Sequence, residues 1–177
     1  MNSFRKYAIW IVGLGLAAFI IPSTIGSLGK FNEKTKPSVK QPTQPYEPPF
    51  RMDGTLWAIN GTDTTSIFRT EYAMTLAAIE IGMMYRKSMD RDMAMLFFMS
   101  GGDQLRSFWM KNTDVPLDII YINSAHEVVS IQANAQPHST QSLPSDQPAS
   151  YVLEIYGGEA TAQGIGVGTK VYWSDKQ

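Results

Sequence analysis

Between Thr55 and Trp173 the chain is a succession of short runs rich in β-branched and aromatic residues: TLWAIN, SIFRTEY, AMLFFM, RSFWM, LDIIYI, EVVSIQ, YVLEIY and KVYW. Glycine, proline, asparagine, aspartate and serine separate them. A succession of runs this short favours a β-sandwich or small barrel over alternating βαβ units. The expected fold is therefore mainly β, a β-sandwich, jelly-roll-like or small barrel, with one main helix packed on it.

Details within the runs sharpen that expectation. TLWAIN ends at Asn60-Gly61, a pair that tolerates positive φ, so SIFRTEY is expected to pair back as a hairpin. Residues 75–86, TLAAIEIGMMYR, form the one helical segment, with Thr75 as N-cap and Leu76, Ile79, Met83 and Tyr85 or Arg86 near one side. In YVLEIY, alternation puts Tyr151, Leu153 and Ile155 on one face and Val152, Glu154 and Tyr156 on the other. Residues 133–150 read as a long loop, of the kind that is functional or mobile. Gly164-Ile165-Gly166-Val167-Gly168 precedes the last strand, the reverse of a phosphate-binding order, and reads as a turn.

Charge divides the 177 residues unevenly. Residues 1–54 hold seven Lys/Arg and three Asp/Glu, whereas 55–177 hold eight and thirteen, giving a net charge of −1. That pattern describes a basic appendage on an acidic domain and gives no footprint for nucleic acid. The absence of cysteine excludes disulfides, thiolate zinc sites and a cysteine nucleophile. Residues 1–29 place Arg5 and Lys6 before an uncharged stretch whose dense apolar part runs from Tyr7 to Ile21. As helix that part spans about 22 Å against a hydrocarbon core of roughly 30 Å, and the looser stretch through Leu28 completes a crossing. No A-x-A site stands out, so an uncleaved membrane anchor is favoured over a cleaved secretory signal. Arg5 and Lys6 would stay in the cytoplasm, leaving the domain extracytoplasmic, periplasmic or at the cell surface. Residues 30–54 contain five of the ten prolines and read as a semi-rigid tether, with 55–177 as a single domain.

The segments GMMYR, AMLFFM, FWMKNTDVPLDIIYI, NAQP, YVLEIYGGEA and GIGVGTKVYW follow one another between Phe68 and Trp173. In order and spacing they resemble the bacterial and archaeal family known as domain of unknown function 192. The resemblance implies a small β-rich fold of sandwich or jelly-roll type and carries no established reaction. Two positions depart from the family pattern. Ala94 stands where a glycine is usual, and Ala78 where the helix usually carries an acid.

Residues that bear chemistry are few. Trp109, Lys111 and Asn112 lie in FWMKN, where an aromatic beside a cation and an amide suits a polar ligand with an apolar plane. Asp118 and Glu154 sit inside apolar strands, where a carboxylate is costly unless paired. Arg86, Arg106 and Lys111 are the available partners. Seven methionines fall between Met83 and Met110, and they read as gap-filling core rather than a copper site. His126 and His138 lack metal-ligand neighbours, and no cofactor is implied. GxSxG, Walker and HExxH patterns are absent. The leading expectation is a binding module for a small polar ligand or envelope component, using Arg86, Trp109, Lys111, Asn112, Asp118 and Glu154. The alternatives are a hydrolase using Asp118 and Glu154 as a carboxylate pair, and a structural or assembly protein of the envelope. No catalytic motif decides whether the protein is an enzyme.

Overall fold

The computed structural model describes residues 47–176. The anchor expected over residues 1–29 and most of the tether lie outside the described residues. Among those described, no helix is long and apolar enough to cross a membrane.

The strands are β1 (Gly54–Asn60), β2 (Asp63–Ala73), β3 (Met93–Phe98), β4 (Ser107–Phe108), β5 (Leu117–Ile122), β6 (Val128–Ala135), β7 (Leu143–Pro144), β8 (Tyr151–Tyr156) and β9 (Lys170–Asp175). Two short helices, α1 (Leu76–Ile81) and α2 (Glu159–Ala162), interrupt them. Seven strands form one sheet in the order β6-β5-β8-β3-β2-β1-β9, while β4 and β7 pair separately. The expected hairpin is β1–β2, with Asn60 opposite Asp63, so its tip is Gly61-Thr62, one residue later than Asn60-Gly61. Among the described strands only β2 and β3 pair in parallel. Parallel neighbours need a crossover, and α1 lies on it, so one βαβ-type connection exists where the sequence suggested none.

The sheet curls into a half-barrel. At its two ends Val128 N–H donates to the Thr169 carbonyl and Gly168 N–H to the Val128 carbonyl, both at 2.9 Å, and Glu127 bridges to Lys170. Of the expected architectures this is closest to the small barrel; its main sheet is not stacked on a second large one as in a sandwich. Leu56, Phe68, Leu96, Ile120, Ile122, Leu153, Ile155 and Val171 fill the concave face, joined by Ala160 of α2 and by Ile165. Met95, Phe97, Leu117, Ile119, Tyr121 and Val152 form the convex face, covered by Met83, Met89 and Met110 from the connections. Strands β3, β5 and β8 are thus buried on both faces. All six residues of β5 are buried, which explains why LDIIYI reads as a continuous apolar run. Each such side chain contributes about 1.5–3 kcal/mol by leaving water. The methionine-rich stretch is core, as its composition suggested.

Helix α1 is half the expected length. Thr75 caps it as expected, its hydroxyl accepting from Ala78 N–H at 3.2 Å. It stops at Gly82 (φ +48°), and the chain turns through Tyr85 (φ +67°) instead of continuing to Arg86. None of its six residues is buried. The last tether residues lie along the domain: Glu47 accepts from Lys87 N–H at 2.8 Å, and Arg51 N–H donates to Glu71 Oε2 at 3.1 Å.

Candidate functional site

The register of β8 creates the site. Glu154 pairs with Met95 of β3 and Ile119 of β5, so its carboxyl emerges on the convex face among apolar neighbours. It is 4% exposed, and its Oε2 has no hydrogen-bond partner. Burial pushes its pKa up to about 8, while the Arg86 charge pulls in the opposite direction with less effect. The carboxyl is thus held mainly as a neutral acid at pH 7.

Above Glu154 the chain bends closely. A Cβ on Gly82 would meet the Phe97 ring at 3.1 Å and lie 3.8 Å from Glu154 Oε2. With φ +48° as well, only glycine fits there without strain. The resulting recess has a volume of about 40 Å³ and is bounded by Ile79, Gly82, Met83, Phe97, Phe108 and Trp109, with Glu154 in its lining. It shares Ile79, Glu80, Phe108 and Trp109 with an open groove of about 650 Å³ whose far side carries Ser107, Thr140 and Ser142. Ser107 Oγ and Ser142 Oγ are 2.7 Å apart and join β4 to the β7 side of the groove. Phe108 is fixed edge-to-face against Phe97 (centroids 5.2 Å apart) and Tyr121 (6.2 Å). Burial, with a smaller push from Glu154, keeps the Tyr121 phenol protonated by raising its pKa.

Arg86 lies behind the recess. Its Nη2 donates to Glu71 Oε2 at 2.9 Å, and both side chains are buried. Arg51 approaches the other Glu71 oxygen at 3.4 Å and Asp53 at 3.2 Å, so two cations and two acids balance. Arg86 Nε–H is buried without a partner. The Arg86 side chain also lines a separate cavity of about 290 Å³ under Pro48, Pro49 and Phe50.

The residues expected at a site are therefore divided. Glu154 and Trp109 line the recess, with Arg86 acting on Glu154 through its charge. Trp109 is 49% exposed, and Lys111 Nζ sits 5.3 Å from its ring centroid. Asn112 (φ +57°) has a structural role instead. Its Nδ2 donates to Tyr85 Oη at 3.0 Å and its carbonyl accepts from Tyr85 N–H at 2.8 Å, tying α1's exit to the β4–β5 connection. Asp118 is on the opposite face. It pairs with Ile155, not with Glu154, and accepts from the N–H groups of Asn134 (2.7 Å), Gly158 (3.0 Å) and Ala160 (2.8 Å). Its charge is satisfied by backbone, anchoring α2 and β6. A two-carboxylate hydrolase built on Asp118 and Glu154 is excluded, because the sheet itself stands between them. Arg106 holds a loop through the carbonyls of Ala149 (3.0 Å), Ser100 (2.8 Å) and Gly102 (2.6 Å).

Sequence reasoning missed Glu71, Gly82, Glu80 and the serine-threonine edge. Glu71 carried the same signal as Glu154, an acid inside a strand. Gly82 and the hydroxyls carried none, since their role comes from pairings distant in sequence. Among the described residues, no cluster of three or more His, Asp or Glu side chains is arranged to hold a metal. His126 stacks on Trp173 with centroids 4.4 Å apart, and His138 Nε2 lies 3.0 Å from Asp114.

Solved structures share this architecture. A protein of unknown function from Novosphingobium aromaticivorans DSM 12444 is 36% identical, with a TM-score of 0.64 over 67% of this chain and 84% of that one. A protein described as a candidate transcription regulator from Sinorhizobium meliloti 1021 is 32% identical, with a TM-score of 0.65 over 68% of this chain and 93% of that one. No curated protein matches. The family model DUF192, described as an uncharacterized ACR, matches residues 58–173. With the half-barrel and the FWMKNT–PLDII signature in place, the chain belongs to the domain of unknown function 192 family.

Proposed function

We propose that the domain is a binding module, held outside the cytoplasm by the N-terminal apolar segment, whose site is the recess and groove between α1 and the β4–β7 pair. One observation carries the reading: a buried carboxyl with an unpartnered oxygen, at a recess opening into an aromatic-walled groove. An unsatisfied buried polar group costs about 1–3 kcal/mol, and a ligand that supplies its partner recovers that cost. The surroundings match a small-molecule site, being mostly apolar with a few convergent polar groups. The half-exposed Trp109 offers a flat surface for the ligand's apolar part. The acidic balance of residues 55–177 argues against nucleic acid as partner.

A thermal-shift panel of small molecules combining an apolar plane with one polar head tests the reading. Binders that raise the Tm of the full chain are expected to lose that effect in Trp109→Ala, whose own stability falls by only about 1 kcal/mol or less because the side chain is half exposed. Shifts that persist undiminished in Trp109→Ala would refute the cleft as the site. For location, externally added protease acting on spheroplasts is expected to cleave the domain; complete protection would refute the tethered arrangement.

A further inference from the structure

We propose that the cleft takes an organic cation, a primary ammonium group on an apolar body, with the ammonium seated against Glu154 and the body lying along Ile79, Phe108 and Trp109. This rests on the reading of the cleft as a binding site and names the ligand class. Among the described residues, Glu80 and Glu154 are the only ionisable side chains that line the recess and the groove; no Lys, Arg or His lines either. Three aromatic rings, Phe97, Phe108 and Trp109, accompany them. Aromatic faces and carboxylates together attract cations and offer nothing to an anion. Size agrees with chemistry. The recess of about 40 Å³ has room for one small head group, whereas the groove of about 650 Å³ accommodates a body of drug-like dimensions.

The charges around Glu154 allow this. Arg86 faces it from the α1–β3 connection, but that guanidinium is neutralised by Glu71 at 2.9 Å. Tyr121 of β5 faces it as a neutral phenol. Glu80 of α1 lines the recess, and Lys111, which lines neither the recess nor the groove, has its Nζ 5.3 Å from the Trp109 ring centroid. Binding at neutral pH converts the protonated Glu154 to carboxylate. The O–H bond breaks, the proton passes to solvent, and the ammonium keeps its three hydrogens and donates one to the freed oxygen. Burial holds Glu154 mainly protonated at pH 7, so cation binding is accompanied by release of up to one proton.

The test uses the full-length chain with benzylamine and its neutral counterpart benzyl alcohol. Calorimetry at pH 7 in cacodylate and in phosphate reads affinity and proton release, and the Trp109 indole resonance, assigned with Trp109→Phe, reports position. Benzylamine is expected to bind at least 10-fold more tightly than benzyl alcohol, to shift that resonance and to release up to one proton. Glu154→Gln is expected to abolish the release and weaken benzylamine at least 10-fold. Equal binding of alcohol and amine with the Trp109 resonance shifted, or undiminished amine binding by Glu154→Gln, would overturn the cation while leaving the cleft in place. Failure of both probes to shift the resonance also overturns it, and the cleft reading is then judged by its own panel.

Discussion

Replacing Glu154 by glutamine keeps the shape of the side chain and removes its titration. In the unfolded chain this carboxyl ionises near 4.5, and in the folded domain at about 8. Below pH 4.5 both states hold the proton and it does not affect folding. Between 4.5 and 8 the folded state retains a proton that the unfolded state has released, so wild-type stability falls as pH rises. Above 8 both states have lost it and the difference is constant. At about 1.4 kcal/mol per pH unit, the wild type forfeits about 3 kcal/mol by pH 7 and about 5 kcal/mol above pH 9, relative to strongly acidic solution. Other titrating groups are common to both proteins, and any cost of burying the amide is independent of pH. The stability of Glu154→Gln minus that of wild type is therefore expected to climb steadily from pH 5 to pH 8 and then flatten. Urea unfolding of both chains at each pH unit from 5 to 9 measures it. Parallel stability curves would refute this reasoning, since they would mean that Glu154 ionises alike in folded and unfolded chains.

Further outcomes follow from the neighbouring charges. Arg86→Met leaves the buried Glu71 without its closest partner and is expected to cost about 3–5 kcal/mol in urea unfolding, with most of that recovered by adding Glu71→Leu. Asp118→Ala removes the acceptor for three backbone N–H groups and is expected to cost about 2–4 kcal/mol. Ligand-induced thermal shifts in that variant stay unchanged, because Asp118 faces away from the cleft. Gly82→Ala forces a methyl toward the Phe97 ring at a positive φ and is expected to lower stability by about 1–2 kcal/mol and to reduce binding in the recess.

The contrast between Asp118 and Glu154 shows how far the amino-acid order carries. Both are acids inside apolar strands, and composition marks them equally. Their faces differ because adjacent positions of β5 and β8 point to opposite sides, and with β5 buried throughout, alternation of polarity cannot say which side is which. The faces of β8 were legible: Leu153 and Ile155 go to the concave cluster and Val152 to the convex one, as alternation requires. Trp109 and Lys111 were readable as a local pair. The helix was overextended because GMMYR continues an apolar pattern, whereas Gly82 takes a conformation that stops it. The choice between sandwich and barrel was out of reach because the curl depends on β6 meeting β9 across some forty residues of chain, a non-local pairing without a local signature.

Crystals of the full chain soaked with amine-bearing fragments give the most direct view of the central claim, that Glu154 is the polar anchor of a ligand cleft. Fragment density is predicted in the groove beside Trp109, with the amine nitrogen within hydrogen-bonding distance of Glu154 Oε2. Fragments that gather instead in the cavity beneath Pro48 and Phe50 or on the outer rim of the barrel, leaving Glu154 untouched, would contradict it.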